Sequence, residues 1–135
     1  MRQPAELFHY TGKGILPLIL ATCAIDASVN GIYGPGIYLT DLGPGNPRLQ
    51  ISLLCWNRWR PERMTGLIRF RDLRDDVRKV ADHIWLASPP ELALAGQDIA
   101  AGWWEGWDAD DPDDAGEWVV VGDEGCNPPV HFAGS

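Results

Sequence analysis

The sequence has no apolar run approaching the ~18 residues that a membrane-spanning helix needs, so helical membrane spans are not expected. A secretory leader is not expected either, because Met1-Arg2-Gln3-Pro4-Ala5-Glu6 runs straight into Leu7-Phe8-His9-Tyr10 without an apolar region between them. Cysteine is scarce. The three present, Cys23, Cys55 and Cys126, are odd in number and lack metal-ligand spacing, which argues against a disulfide framework and against a zinc site. Lysine and arginine stop at Lys79: residues 80–135 hold twelve acids and no base, a charge of -12. Residues 1–79 hold all eleven bases against seven acids, a charge of +4, and the total is -8. A phosphate-bearing ligand is therefore drawn to the first part and repelled by the second. The same balance disfavours nucleic acid as a tightly held partner, since neutralisation of phosphates by bases drives such binding. Arg58, Arg60, Arg63, Arg69, Arg71 and Arg74 could still meet one transiently, although solvation is the simpler expectation for most of them.

What is present suits one domain over residues 1–135, with 45% hydrophobic and 22% charged residues. Leu7 to Thr11 is apolar and aromatic and is ended by Gly12, which predicts a strand. Apolar residues three and four apart over residues 14–21 predict a short helix starting near Pro17, which fits only the first turn. Residues 26–36 read as loop. Ile37-Tyr38-Leu39-Thr40 reads as a second strand between Gly34-Pro35-Gly36 and Gly43-Pro44-Gly45. Asn46 before Pro47 predicts a capped helix running through Trp59, with Leu49, Leu53 and Trp56 at helical spacing. Further strands are expected at 67–70, at 83–87 closed by Ser88-Pro89-Pro90, and at 117–121. The last, Glu117-Trp118-Val119-Val120-Val121, is β-branched and aromatic between two glycines. The fold class that follows is α+β, mostly strands with one or two small helices.

Between these elements lies an acidic loop near residues 108–115, Asp108-Ala109-Asp110-Asp111-Pro112-Asp113-Asp114. A solvated loop is the plain reading, and a partner-binding acidic surface beside Trp103, Trp104 and Trp107 the sharper one. Those tryptophans can equally pack beneath the loop.

Two segments carry chemistry: Phe8-His9-Tyr10-Thr11 and, about 25 residues later, Tyr33-Gly34-Pro35-Gly36-Ile37-Tyr38-Leu39-Thr40-Asp41. Their order and spacing resemble ADP-ribosyltransferases of the histidine–tyrosine–acid clade, nearest to the bacterial toxin family named for a His-Tyr-Asp signature. The poly-ADP-ribose polymerase and diphtheria-toxin-like clade is more distantly similar. The resemblance is carried by residues 7–42. It implies a split, mostly antiparallel β-sheet core with short flanking helices that binds NAD as cosubstrate. His9 would then hydrogen-bond the adenosine ribose, donating from one ring nitrogen and accepting at the other while neutral. The backbone of Tyr10 would hold the nicotinamide carboxamide, and Thr11 would support His9 or the ribose. Tyr38 would lie against the nicotinamide ring, with Tyr33 or Trp56 as the second wall. Gly34 and Gly36 would let backbone approach the ligand, Ser28 would add a contact, and Asp41 simply closes its turn.

Cleavage of the nicotinamide–ribose bond develops positive charge on the ribose, which a fixed carboxylate can offset. Glu117, at the start of a late strand that resembles the Glu-Tyr-Ile-Val-Tyr strand of the polymerases, is the expected group. Asp82, Asp98 and Asp123 are the alternatives, because the nearest family uses an aspartate as its third residue. Catalytic roles thus fall on His9, Tyr38 and Glu117. The resemblance implies transfer of ADP-ribose to a macromolecular acceptor, protein or nucleic acid, by a bacterial toxin or effector. Such an enzyme would be cytoplasmic or delivered by a specialised secretion machine, and a cognate inhibitor or immunity protein is a possible partner. Alternatives are an NAD glycohydrolase and an inert binding module that uses the acidic, tryptophan-rich C-terminal half.

Overall fold

A computed structural model describes residues 3–29, 31–88 and 90–121. Along these, alternation of side chains between two faces builds most of the architecture. Strands β1 (Glu6–Thr11), β3 (Ile37–Thr40), β4 (Gly66–Arg71), β5 (Arg78–Ala81), β6 (Ile84–Ala87), β8 (Asp98–Glu105) and β9 (Glu117–Val121) form one sheet in the order β5-β6-β3-β1-β4-β8-β9. Every neighbouring pair in it is antiparallel. Two short strands, β2 (Ala24–Asp26) and β7 (Glu91–Ala93), pair separately.

Each face of the large sheet buries one helix. On one side Leu7, Ile68, Phe70, Leu39, Trp85 and Ile99 pack under helix α1 (Leu16–Thr22) and the β2–β7 pair. On the other, Phe8, Tyr10, Leu67 and Ile84 pack under helix α2 (Arg48–Trp56) through Ile51 and Cys55. Burying one such aliphatic or aromatic side chain contributes about 2 kcal/mol, so the paired faces, more than helix propensity, hold these short helices. Pro17 sits in the first turn of α1 as expected, and Cys23 ends the helix in the left-handed region with φ 55°.

The expected strands at 7–11, 37–40, 67–70, 83–87 and 117–121 are present within a residue or so at each end. Four strands are additional. The longest, β8, runs through Ile99-Ala100-Ala101-Gly102, whose small residues carry little strand propensity. It is a strand because β4 and β9 hydrogen-bond it on both sides, and a Cβ at Gly102 would stand 2.9 Å from the Val119 carbonyl. Helix α2 also departs from expectation. Asn46 does not cap it: Pro47 occupies that position, and the Asn46 amide donates to the Gly43 carbonyl. The helix stops at Asn57, in the left-handed region with φ 59°, and not at Trp59. Beyond it, the Ser52 hydroxyl donates to the Arg58 carbonyl and accepts from the Arg60 N–H, which folds the chain back along the helix.

The acidic loop is anchored at its backbone. Arg48 donates to the Ala109 carbonyl (2.7 Å) and Trp59 Nε1 to that of Asp110 (2.8 Å). Asp108, Asp111 and Asp114 accept backbone N–H groups within the loop. The Arg48 guanidinium lies over both the Trp59 and Trp104 rings, at 5.2 and 4.4 Å. Trp104 is thus a packing residue beneath the loop, whereas Trp107 is 91% exposed. Cys23 and Cys55 are buried free thiols, and Cys126 lies outside the described residues. No described helix is long and apolar enough to cross a membrane.

Candidate functional site

The sheet parts between β1 and β3. Strand β1 keeps six register pairs with β4 but one with β3, Phe8↔Thr40. Past that pair the two strands diverge, and a cleft of about 1030 Å³ opens there. Its size lies at the upper end of what small-molecule and cofactor sites occupy.

His9 stands at the point of divergence, with its Nδ1 3.0 Å from the Tyr38 carbonyl oxygen. A carbonyl only accepts, so Nδ1 carries the proton and Nε2 is left as an acceptor. Burial, the dominant cause, holds the imidazole below its ordinary pKa; the Tyr38 carbonyl opposes that shift and Arg63 adds to it. The ring is therefore neutral at pH 7. Thr11 follows on the same strand, nearly buried, and also lines the cleft.

The Tyr10 side chain turns to the opposite face. Its hydroxyl donates to the Leu42 carbonyl (2.8 Å), and its ring lies between Phe8 and Trp118, at centroid distances of 6.4 and 5.7 Å. Burial raises its pKa and keeps the phenol neutral. The part of Tyr10 free to meet a ligand is its backbone.

Tyr38 lines the cleft from β3 and also organises the loop before it. Its hydroxyl donates to the Gly34 carbonyl (2.6 Å) and accepts from the Tyr33 N–H (2.8 Å). The Tyr33 ring lies 6.4 Å away and inclined by 31°, but Tyr33 is not among the cleft-lining residues. Gly31 passes so close to the phenol that a Cβ there would lie 2.1 Å from its oxygen. Ser28 and Gly36 close the base of the loop with a pair of backbone hydrogen bonds of 2.8 and 3.0 Å, and both line the cleft. Gly36 is required by its neighbours on β6, since a Cβ would approach the Ala87 carbonyl to 2.5 Å. Gly34, with φ 104°, supplies a left-handed turn.

The wall opposite this loop comes from α2 and residues 57–64. Trp56 lines the cleft with the Arg63 guanidinium 5.8 Å above its ring. Arg60 and Glu62 line it too, paired at 2.8 Å. Two cations therefore face a cleft whose remaining walls are apolar or uncharged, apart from two carboxylates. One is Glu62, already committed to Arg60. The other is Asp26, at the end of β2, in register with Glu91 of β7. Cys55 also lines the cleft, but burial pushes its thiol up to about 12, so it is not a nucleophile.

The structure thus brings His9, Tyr10, Thr11, Ser28, Gly36, Tyr38 and Trp56 to one cleft. It puts Glu117 elsewhere: this exposed side chain opens the edge strand β9, in register with Glu105, four places from β3 in the sheet. Asp98 lies 3.9 Å from Arg71 and Asp82 is exposed before β6; neither lines the cleft. Asp123 lies outside the described residues. The Asp41 carboxylate accepts a hydrogen bond from His83 Nδ1, 2.8 Å away. Asp26, Arg60 and Arg63 are the polar residues that motif reading passes over. Asp26 leaves no trace in the sequence, and that of the two arginines is the run Arg58-Trp59-Arg60-Pro61-Glu62-Arg63, arginines set among tryptophan and proline. Among the described residues no group of His, Cys, Asp and Glu is arranged to hold a metal ion. Comparison with protein-family models, with curated proteins and with solved structures finds no match.

Proposed function

We propose that the chain is an ADP-ribosyltransferase that uses NAD as cosubstrate, with Asp26 in place of Glu117 as the carboxylate of the reaction. The observation that carries this reading is the convergence of His9, Ser28, Tyr38 and Trp56 on one cleft where the sheet parts, with a cationic wall beside them. A dinucleotide needs an acceptor for ribose hydroxyls, an aromatic surface for nicotinamide, and positive charge for its pyrophosphate. His9 Nε2 supplies the first. Tyr38 and Trp56 supply the second, where stacking adds about 1 kcal/mol beyond area burial. Arg60 and Arg63 supply the third.

In the reaction the bond between ribose C1′ and the nicotinamide nitrogen breaks. Its electron pair leaves with the ring, which departs as neutral nicotinamide, and C1′ becomes an oxocarbenium centre. The Asp26 carboxylate offsets that charge and orients the ribose 2′-hydroxyl, and the nucleophile of a macromolecule then bonds to C1′ and gives up its proton to water. Asp26 is itself exposed at the edge of the cleft, and removal of an electrostatic group that meets the developing charge costs about 100-fold or more in rate.

The test is nicotinamide release from NAD by the purified chain. Asp26→Asn is expected to lower it about 100-fold, while Glu117→Gln leaves it within about twofold, as for an exposed edge residue. Equal rates in wild type and Asp26→Asn, or no release at all, would overturn the reading. Free ADP-ribose as the main product, with no labelled macromolecule, would favour the hydrolase.

A further inference from the structure

We infer that the mouth of the cleft is a docking surface for a protein, the acceptor that receives ADP-ribose, and that its apolar lip selects that acceptor over nucleic acid. The inference rests on the transfer reading above. The lip is formed by the outer face of α1 and by the loop before β3. Ile15, Leu18, Val29 and Ile32 line the cleft and are nevertheless 50, 62, 79 and 55% exposed. Four large aliphatic side chains held in solvent around one opening are unusual for a surface with no partner, and such patches mark sites of association.

Charge decides what the partner is. Residues 14–47, which contain the whole of this lip, include no lysine or arginine, and their two acids are Asp26 and Asp41. A polyanion would gain nothing from this side of the cleft and would be repelled by Asp26 at its wall. The facing wall carries the half-buried Arg60 and Arg63, with Arg60 paired to Glu62. In the transfer reading Arg60 and Arg63 are taken by the NAD pyrophosphate, so the surface left to a partner is the aliphatic lip. An uncharged apolar lip of this kind fits a protein surface that presents apolar side chains, whose burial supplies the affinity.

Two variants test the surface, Leu18→Glu and Val29→Glu, combined in the full chain. Wild type and double variant are incubated with NAD labelled in its adenylate part and a bacterial cell extract, and the label is challenged with protease or nuclease. The expected result is protease-sensitive label in the wild type and, counted per nicotinamide released so that any change in NAD handling cancels, about tenfold or more less of it in the variant. Nuclease-sensitive label, or equal protein labelling by both, would overturn the proposal.

If the wild type neither releases nicotinamide nor labels anything, the transfer reading itself fails. The surface is then judged by a photo-crosslinking residue at position 32, with Leu53 on α2 as the control position. A protease-sensitive adduct formed from position 32, absent from position 53 and lost on adding Leu18→Glu, sustains protein docking. Its absence, or an adduct to nucleic acid, overturns it.

Discussion

His9 shows how a single side chain can be tuned by its position in the sheet. A free imidazole is protonated below its ordinary value of 6.5, and burial in the cleft lowers that value in the folded state. Between the lowered value and 6.5 the unfolded chain binds a proton that the folded chain does not, so stability rises with pH across that window. Its contribution is complete above 6.5 and is lost progressively as pH falls through the window. Thermal melting from pH 7.5 to 5 should show a decline in wild type that is shallower in His9→Asn. Tyr38 makes a second case, because its ring and its hydroxyl serve different ends. Tyr38→Phe keeps the aromatic surface but leaves the Gly34 carbonyl and the Tyr33 N–H without their partner. Loss of two such bonds costs about 1–3 kcal/mol, readable as a lower midpoint in urea. If the loop shapes the cleft, KM for NAD rises more than kcat falls.

Among the elements, the turn after α2 is the one that builds the cationic wall. Ser52 is fully buried and serves both the Arg58 carbonyl and the Arg60 N–H. Ser52→Ala orphans both groups, for a cost of about 1–3 kcal/mol. Because those groups set where Arg60 lies beside the helix, the variant should also raise KM for NAD, whereas Ser52→Thr should restore part of the effect. An unchanged KM in Ser52→Ala would mean that the turn does not hold the ligand-facing arginines. The loop between β2 and β3 is tied with comparable economy. Gly31→Ala would drive a methyl group into the Tyr38 phenol, and the strain should appear as lowered stability by calorimetry together with a weakened cleft.

Charge separates the whole chain into a cationic cleft wall and an acidic second half. The net charge of -8 would slow the approach of an anionic dinucleotide, so under the proposed function the local field of Arg60 and Arg63 would have to outweigh it at the cleft. With a Debye length of about 10 Å at 0.1 M salt, that local attraction is screened as ionic strength rises. NAD affinity measured by calorimetry should fall between low and moderate salt, and Arg60→Gln/Arg63→Gln should flatten the dependence. A salt-independent affinity in wild type would argue against a charged contact. The acidic loop is held away from this opposition. Its backbone is bound to Arg48 and Trp59, and none of residues 108–114 lines the cleft.

Local pattern was sufficient for the strands that alternate clearly, such as Leu7 to Thr11 and Glu117 to Val121, and for the two segments that bear His9 and Tyr38. Each of these depends on neighbours two to four residues away, which a linear reading already contains. Strand β8, the early end of α2 and the identity of the cleft carboxylate depend on groups far along the chain. Ala100 and Gly102 become strand residues because β4 and β9 pair with them, and Glu117 is removed from the cleft by the intervening β1, β4 and β8. Asp26 enters the cleft because β7 pairs with β2 there. Residue order prescribes which side chains alternate, whereas pairing between distant strands chooses which of them share a site.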